Sequence, residues 1–135
     1  MTDADQAAEE SLIGIKGWLL LYVIGPGFIG TAWGIKEAIV WGPLLGGGYL
    51  YFCGMLLTAN VVGLYLIMYV REKITQTYQI WLNIIWAGSY AFFSATLLSW
   101  PTGWGTVIGF SIWAAYWIGS KRVRATYCQD AGQIA

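Results

Sequence analysis

The side chains able to carry chemistry are few and widely spaced. The 135 residues include seven Lys or Arg, seven Asp or Glu and no histidine. The absence of histidine removes the commonest proton shuttle, the usual axial ligand of b-type haem and any His-dependent hydrolytic triad. Cys53 and Cys128 are the two cysteines, and neither belongs to a Cys-x-x-Cys pair, so no metal motif is present. Gly14-x-x-Gly17 follows no strand-like run and is not a phosphate loop. The reading is therefore a protein with no catalytic, cofactor-binding or metal-binding residues, and not an enzyme.

What remains is a set of polar and small residues inside apolar runs. Asn60 lies about halfway along the apolar stretch 49–70, with Thr58 two residues before it, while Asn83 lies near the start of a later stretch. An amide side chain in lipid needs a hydrogen-bond partner on another helix, so Asn60 reads as helix glue before it reads as a ligand site. Gly25-Pro26-Gly27 interrupts the first apolar stretch and should kink or unwind it, a device that also builds substrate sites in transporters. Small residues recur at four-residue spacing in Gly30/Gly34, Ala59/Gly63, Ala87/Ala91/Ala95 and Gly105/Gly109. Such stripes let helix backbones approach closely, either inside a bundle or against a partner.

Membrane spans are the elements that must position these residues. The stretch 49–70 carries no charge and ends in Arg71-Glu72-Lys73; as a helix it is ~33 Å long, the thickness of a bilayer core. Composition agrees, with 58% hydrophobic and 10% charged residues against about 25% charged in soluble domains. The sequence predicts an all-α membrane protein, one compact bundle of four transmembrane helices at about 17–35, 49–70, 80–99 and 104–119. Residues 36–48 read as a loop, because they hold Lys36, Glu37, Gly42-Pro43 and three consecutive glycines. Ser99-Trp100-Pro101-Thr102-Gly103 reads as a tight turn. The tails 1–12 and 120–135 are polar; the acidic first one is expected to fray, with a short surface helix as the alternative. No basic leader precedes the first span, which is expected to be retained.

Charge sets the orientation. Four spans place Lys16, Arg71, Lys73, Lys121, Arg122 and Arg124 on one side and Lys36 alone on the other, a bias that puts both termini in the cytoplasm. These six cations read as topology anchors in contact with lipid headgroups, and three of them in 121–124 fall short of a dedicated polybasic site. Trp18, Trp81 and Trp117 then form an inner aromatic belt, and Trp33, Trp41, Trp100 and Trp104 an outer one. Cys53 and Cys128 fall on opposite sides of the bilayer, too far apart to pair within one chain. A net charge of zero argues against nucleic acid as a partner.

Two junctions carry a resemblance. Gly14-Ile15-Lys16-Gly17-Trp18-Leu19, opening the first span, and Ser120-Lys121-Arg122-Val123-Arg124-Ala125-Thr126-Tyr127, closing the fourth, resemble the two signatures of the YdgK-like bacterial inner-membrane proteins. These are small four-helix proteins grouped as a domain of unknown function. The likeness extends from about residue 12 to residue 127, and its opening motif departs from the family at Lys16, where glycine is usual. It implies four spans and a bacterial inner membrane, and no activity. The expected role is a non-catalytic accessory or assembly subunit of a larger inner-membrane complex, such as a respiratory or photosynthetic one. Its partners would be membrane lipids and other subunits, with no intrinsic cofactor and a phospholipid as the natural bound molecule. The alternative is a small homo-oligomeric transporter or channel using Gly25-Pro26-Gly27 and Asn60.

Overall fold

The computed structural model describes residues 2–98 and 101–128; Ser99 and Trp100 of the expected turn, with Trp100 of the outer belt, and the tail beyond Cys128 lie outside them, while Pro101, Thr102 and Gly103 of that turn instead open a helix, as proline can in a first helical turn. Every regular element among the described residues is helical. In chain order these are α1 (Asp3–Leu12), α2 (Trp18–Leu45), α3 (Gly47–Tyr69), α4 (Lys73–Phe93, continued by a π-helical turn Ser94–Leu98), α5 (Pro101–Gly119) and α6 (Lys121–Tyr127). They form two compact units, one holding α2 and α3 within Ile15–Tyr69, the other holding α1, α4, α5 and α6.

Among the described residues, α2 and α3, of 28 and 23 residues, are long and apolar enough to cross a membrane. Only 22% of the most apolar stretch of either is buried, where the core helix of a soluble protein would be mostly covered. Phe28, Ile29, Val61 and Tyr65 are among the large side chains left exposed.

Helix α2 is irregular where Gly25-Pro26-Gly27 is expected to disturb it, and differs from the sequence reading at its end. Pro26 has no N–H and its ring would clash with the carbonyl four residues earlier in an α-helix. The chain absorbs this by widening into a π-helical segment, Val23–Ile29, where the Gly30 N–H reaches back five residues to the Gly25 carbonyl. The helix then runs on through residues 36–45, expected as loop. Its two charges are handled locally: Glu37 accepts a hydrogen bond from Trp41 Nε1 at 2.8 Å, and Lys36 Nζ lies 3.8 Å from Glu37 and 4.2 Å from the centre of the Trp33 ring. Only Gly46 turns the chain, at φ +84°, a left-handed conformation that side-chain-bearing residues seldom adopt.

The α2–α3 hairpin closes along a seam of small residues against large ones. A Cβ at Gly27, Gly34 or Gly42 would run into Leu64, Leu57 or Leu50, and between the first two levels Asn60 meets Thr31. The steps up α2 from Gly27 to Thr31, Gly34 and Gly42 are matched by steps down α3 from Leu64 to Asn60, Leu57 and Leu50, so the pair is antiparallel and in one continuous register. In that register Ala38 stands level with Cys53, both half-buried.

In the other unit α4 and α5 pack along their lengths, and Trp86 stacks on Phe110 across them at 5.6 Å and 10°. Helix α1 is a formed helix and not a frayed tail. Thr2 caps it in a reciprocal pair with Asp5, each side chain bonding the other's backbone N–H at 3.3 and 2.9 Å. Its far end is held by Arg122, which donates to the Ser11 carbonyl at 3.2 Å. Burial of Val123, Thr126 and Tyr127 seats α6.

Candidate functional site

Two polar centres stand out, one in each unit. In the hairpin, Asn60 is buried in the middle of α3 and its Nδ2 donates to Thr31 Oγ1 at 2.5 Å and to the Gly27 carbonyl at 3.2 Å. Thr31 Oγ1 donates in turn to the same Gly27 carbonyl at 2.5 Å. The knot thus sits on the π-helical segment, where widening of the turn disturbs the ladder and leaves carbonyls in need of donors. A side-chain amide with both hydrogens engaged inside its own hairpin acts as an interhelical fastener.

The second centre is a polar cluster where α4, α5 and α6 meet. Thr75, Gln79 and Asn83 follow one another at one-turn spacing on α4 and are 0%, 1% and 0% exposed. Thr75 Oγ1 donates to the Val70 carbonyl at 2.7 Å, and Asn83 Nδ2 to the Gln79 carbonyl at 2.7 Å. Gln76 ties the three helices together: its Nε2 donates to the Trp117 carbonyl at 2.8 Å, and its Oε1 accepts from the Cys128 thiol at 2.7 Å. Trp117, wholly buried, packs on Tyr127 with ring centres 5.7 Å apart. Burial pushes the Tyr127 hydroxyl well above its ordinary range, with the Arg71 cation opposing the shift. Among the described residues no group of three His, Cys, Asp or Glu could hold a metal.

The residues singled out in the sequence fall unevenly about these centres. Asn60 and Gly34 lie on the hairpin seam, and Gly63 is buried on α3. Gly30 is off the seam: a Cβ there would meet only the Gly25 carbonyl of its own helix. Ala87 and Ala91 are half-buried on α4, and a Cβ at Gly105 or Gly109 would meet nothing of their own unit. Of the cations, Lys16, Arg71, Lys73, Lys121 and Arg124 are exposed, while Arg122 is half-buried against α1. Trp18, Trp33, Trp81 and Trp104 are exposed and Trp41 is half-buried, bonded to Glu37, but Trp117 is a core residue and does not join the inner belt. Gly27 and Gly42, helix breakers in the sequence reading, are seam residues, while Thr31 on the seam and Gln76 and Gln79 in the cluster escaped that reading. For the cluster a signal existed, since Thr75, Gln79 and Asn83 recur every four residues.

Set against known proteins, the chain matches no family model, no curated protein and no solved structure. Within its own unit the Gly14 N–H donates to Thr126 Oγ1 at 3.1 Å.

Proposed function

We propose that α4 and α5 cross the bilayer as well, giving a four-span inner-membrane protein with both termini cytoplasmic. Its role in this reading is that of a non-catalytic accessory or assembly subunit of a larger bacterial membrane complex. The inverted face of α4 carries the proposal. Its buried side chains include Thr75, Gln79 and Asn83, whereas Trp81 is 60% and Phe92 62% exposed. A helix in water buries its apolar stripe and shows its polar one; a helix in lipid gains nothing by hiding Phe or Ile and must satisfy its amides internally. On α5, Ile108 and Ile112 are likewise exposed.

Absence of chemistry from the spans supports the passive role. Ion-coupled and proton-coupled carriers place ionisable groups at mid-depth, and the charges on α2, Lys36 and Glu37, lie towards its end. Asn60, which a homo-oligomeric transporter or channel would need as a ligand, directs its amide at Thr31 and Gly27. The excess of Lys and Arg on the side of the termini and the two junction motifs support the cytoplasmic assignment and the YdgK-like likeness. Purification from native membranes in mild detergent, followed by native mass measurement, tests the role. A heteromeric companion in fixed stoichiometry is the expected result; a bare monomer or closed homo-oligomer overturns it.

A further inference from the structure

We propose that Asn60, Thr31 and the Gly27 carbonyl form a conformational latch that selects one sliding register of the α2–α3 hairpin. The apolar part of the seam does not select it. On α2 the facing positions are Gly27, Thr31, Gly34, Ala38 and Gly42, a shallow groove with no large side chain. On α3 a ridge at similar spacing, Leu50, Cys53, Leu57 and Leu64, lies in it. A slide of one helical turn, ~5.4 Å, again sets a large residue opposite a small one at most levels. The level of Asn60 is the one that distinguishes the registers. After such a slide Asn60 faces a glycine row and finds no hydroxyl, and an amide in an apolar seam without its partner is unfavourable. A single buried Asn sets register in coiled coils by the same logic.

The latch also holds the π-helical segment. Asn60 and Thr31 converge on the Gly27 carbonyl, within the widened turn, so the register of the hairpin and the phase of α2 before Pro26 are set at one point. Each residue of an α-helix turns it by about 100°. Loss of the π insertion would therefore rotate the segment beginning at Trp18 by about that angle relative to the rest of α2.

Native Cys53 provides the assay, because Ala38 stands opposite it only in the latched register. In the full-length chain in its membrane, Ala38→Cys should join Cys53 rapidly under a mild oxidant, with the link identified by peptide mass spectrometry. Asn60→Leu and Thr31→Val should each slow that link by about 3-fold to about 18-fold, the range spanned by interhelical hydrogen bonds in membranes, and Thr31→Ser should restore it. Should Asn60→Leu fail to accumulate, the Thr31→Val and Thr31→Ser pair decides alone. Unchanged linking in Thr31→Val, equal slowing in Thr31→Ser, or no 38–53 link with Asn60 and Thr31 intact would each overturn the latch.

Discussion

Substitution of Gly27 is the sharpest probe of the hairpin seam. A Cβ there would come within 2.5 Å of Leu64 Cδ2 and 3.5 Å of its Cγ, and 3.6 Å from the Tyr22 carbonyl. Alanine needs only the end of Leu64 to swing aside, an off-rotamer cost of about 0.5–1.5 kcal/mol, offset by the roughly 0.5–1 kcal/mol gained when glycine leaves a helix interior. Gly27→Ala should be nearly neutral. Isoleucine cannot be accommodated so, because its additional carbons enter a closed seam, and overpacking of that kind costs about 1–3 kcal/mol. Equilibrium unfolding in mixed micelles, followed by far-ultraviolet circular dichroism, should show Gly27→Ile clearly less stable than the parent. Combining it with Leu64→Ala should recover part of the loss, a coupling of about 0.5–3 kcal/mol. Gly105→Ala, where the added carbon meets nothing, serves as the control and should not destabilise. Additive effects of Gly27→Ile and Leu64→Ala, or equal damage from Gly105→Ala, would refute the small-against-large seam.

Three further outcomes follow from the other unit. Trp117→Ala should destabilise by about 3–5 kcal/mol, the cost of emptying a buried aromatic site, as read by thermal unfolding. Gln76→Leu removes the bonds to both Trp117 and Cys128, so maleimide labelling of Cys128 should speed up several-fold while overall helix content holds. The bonds from Thr2 hold the Asp5 carboxyl below its ordinary value of 3.8, so they stabilise α1 above that value and are lost as pH falls through the lower folded one. Hydrogen exchange over residues 3–12 should therefore accelerate in acid beyond the intrinsic rate, and Thr2→Val should abolish that acceleration.

The helical class, the apolar stretches and the importance of Asn60 were legible in the residues; the extent of α2 was not. Lys36, Glu37 and Gly42-Pro43 look like the end of a helix when judged locally. In the fold the two charges are satisfied by each other and by Trp33 and Trp41, and Gly42 is needed as a helical residue because Leu50 packs on it. The small-residue pattern misled in a similar way. A search at four-residue spacing finds Gly30 and Gly34, but an antiparallel seam steps by four and then three, so it takes Gly27, Thr31, Gly34 and Ala38 and passes Gly30 by. Helix α4 hid its polar face for a different reason. Thr75, Gln76, Gln79 and Asn83 lower its average apolarity, and only the burial of Thr75, Gln79 and Asn83 and the bonds of Gln76 to Trp117 and Cys128 show that they point inward. The Thr2 and Asp5 cap was missed because an Asp at the third helical position fills a role usually read from Glu or Gln.

The central claim, that α4 and α5 cross the membrane with α2 and α3, turns on the side at which their connection lies. Trp104, 50% exposed at the start of α5, is the reporter. In a background with Cys53→Ser and Cys128→Ser, Trp104→Cys should react with an impermeant maleimide added outside intact spheroplasts, as should Lys36→Cys, while Lys73→Cys and Lys121→Cys react only after permeabilisation. Protection of Trp104→Cys in intact spheroplasts, with reaction on permeabilisation, would place both ends of α5 on the cytoplasmic side and contradict the four-span account.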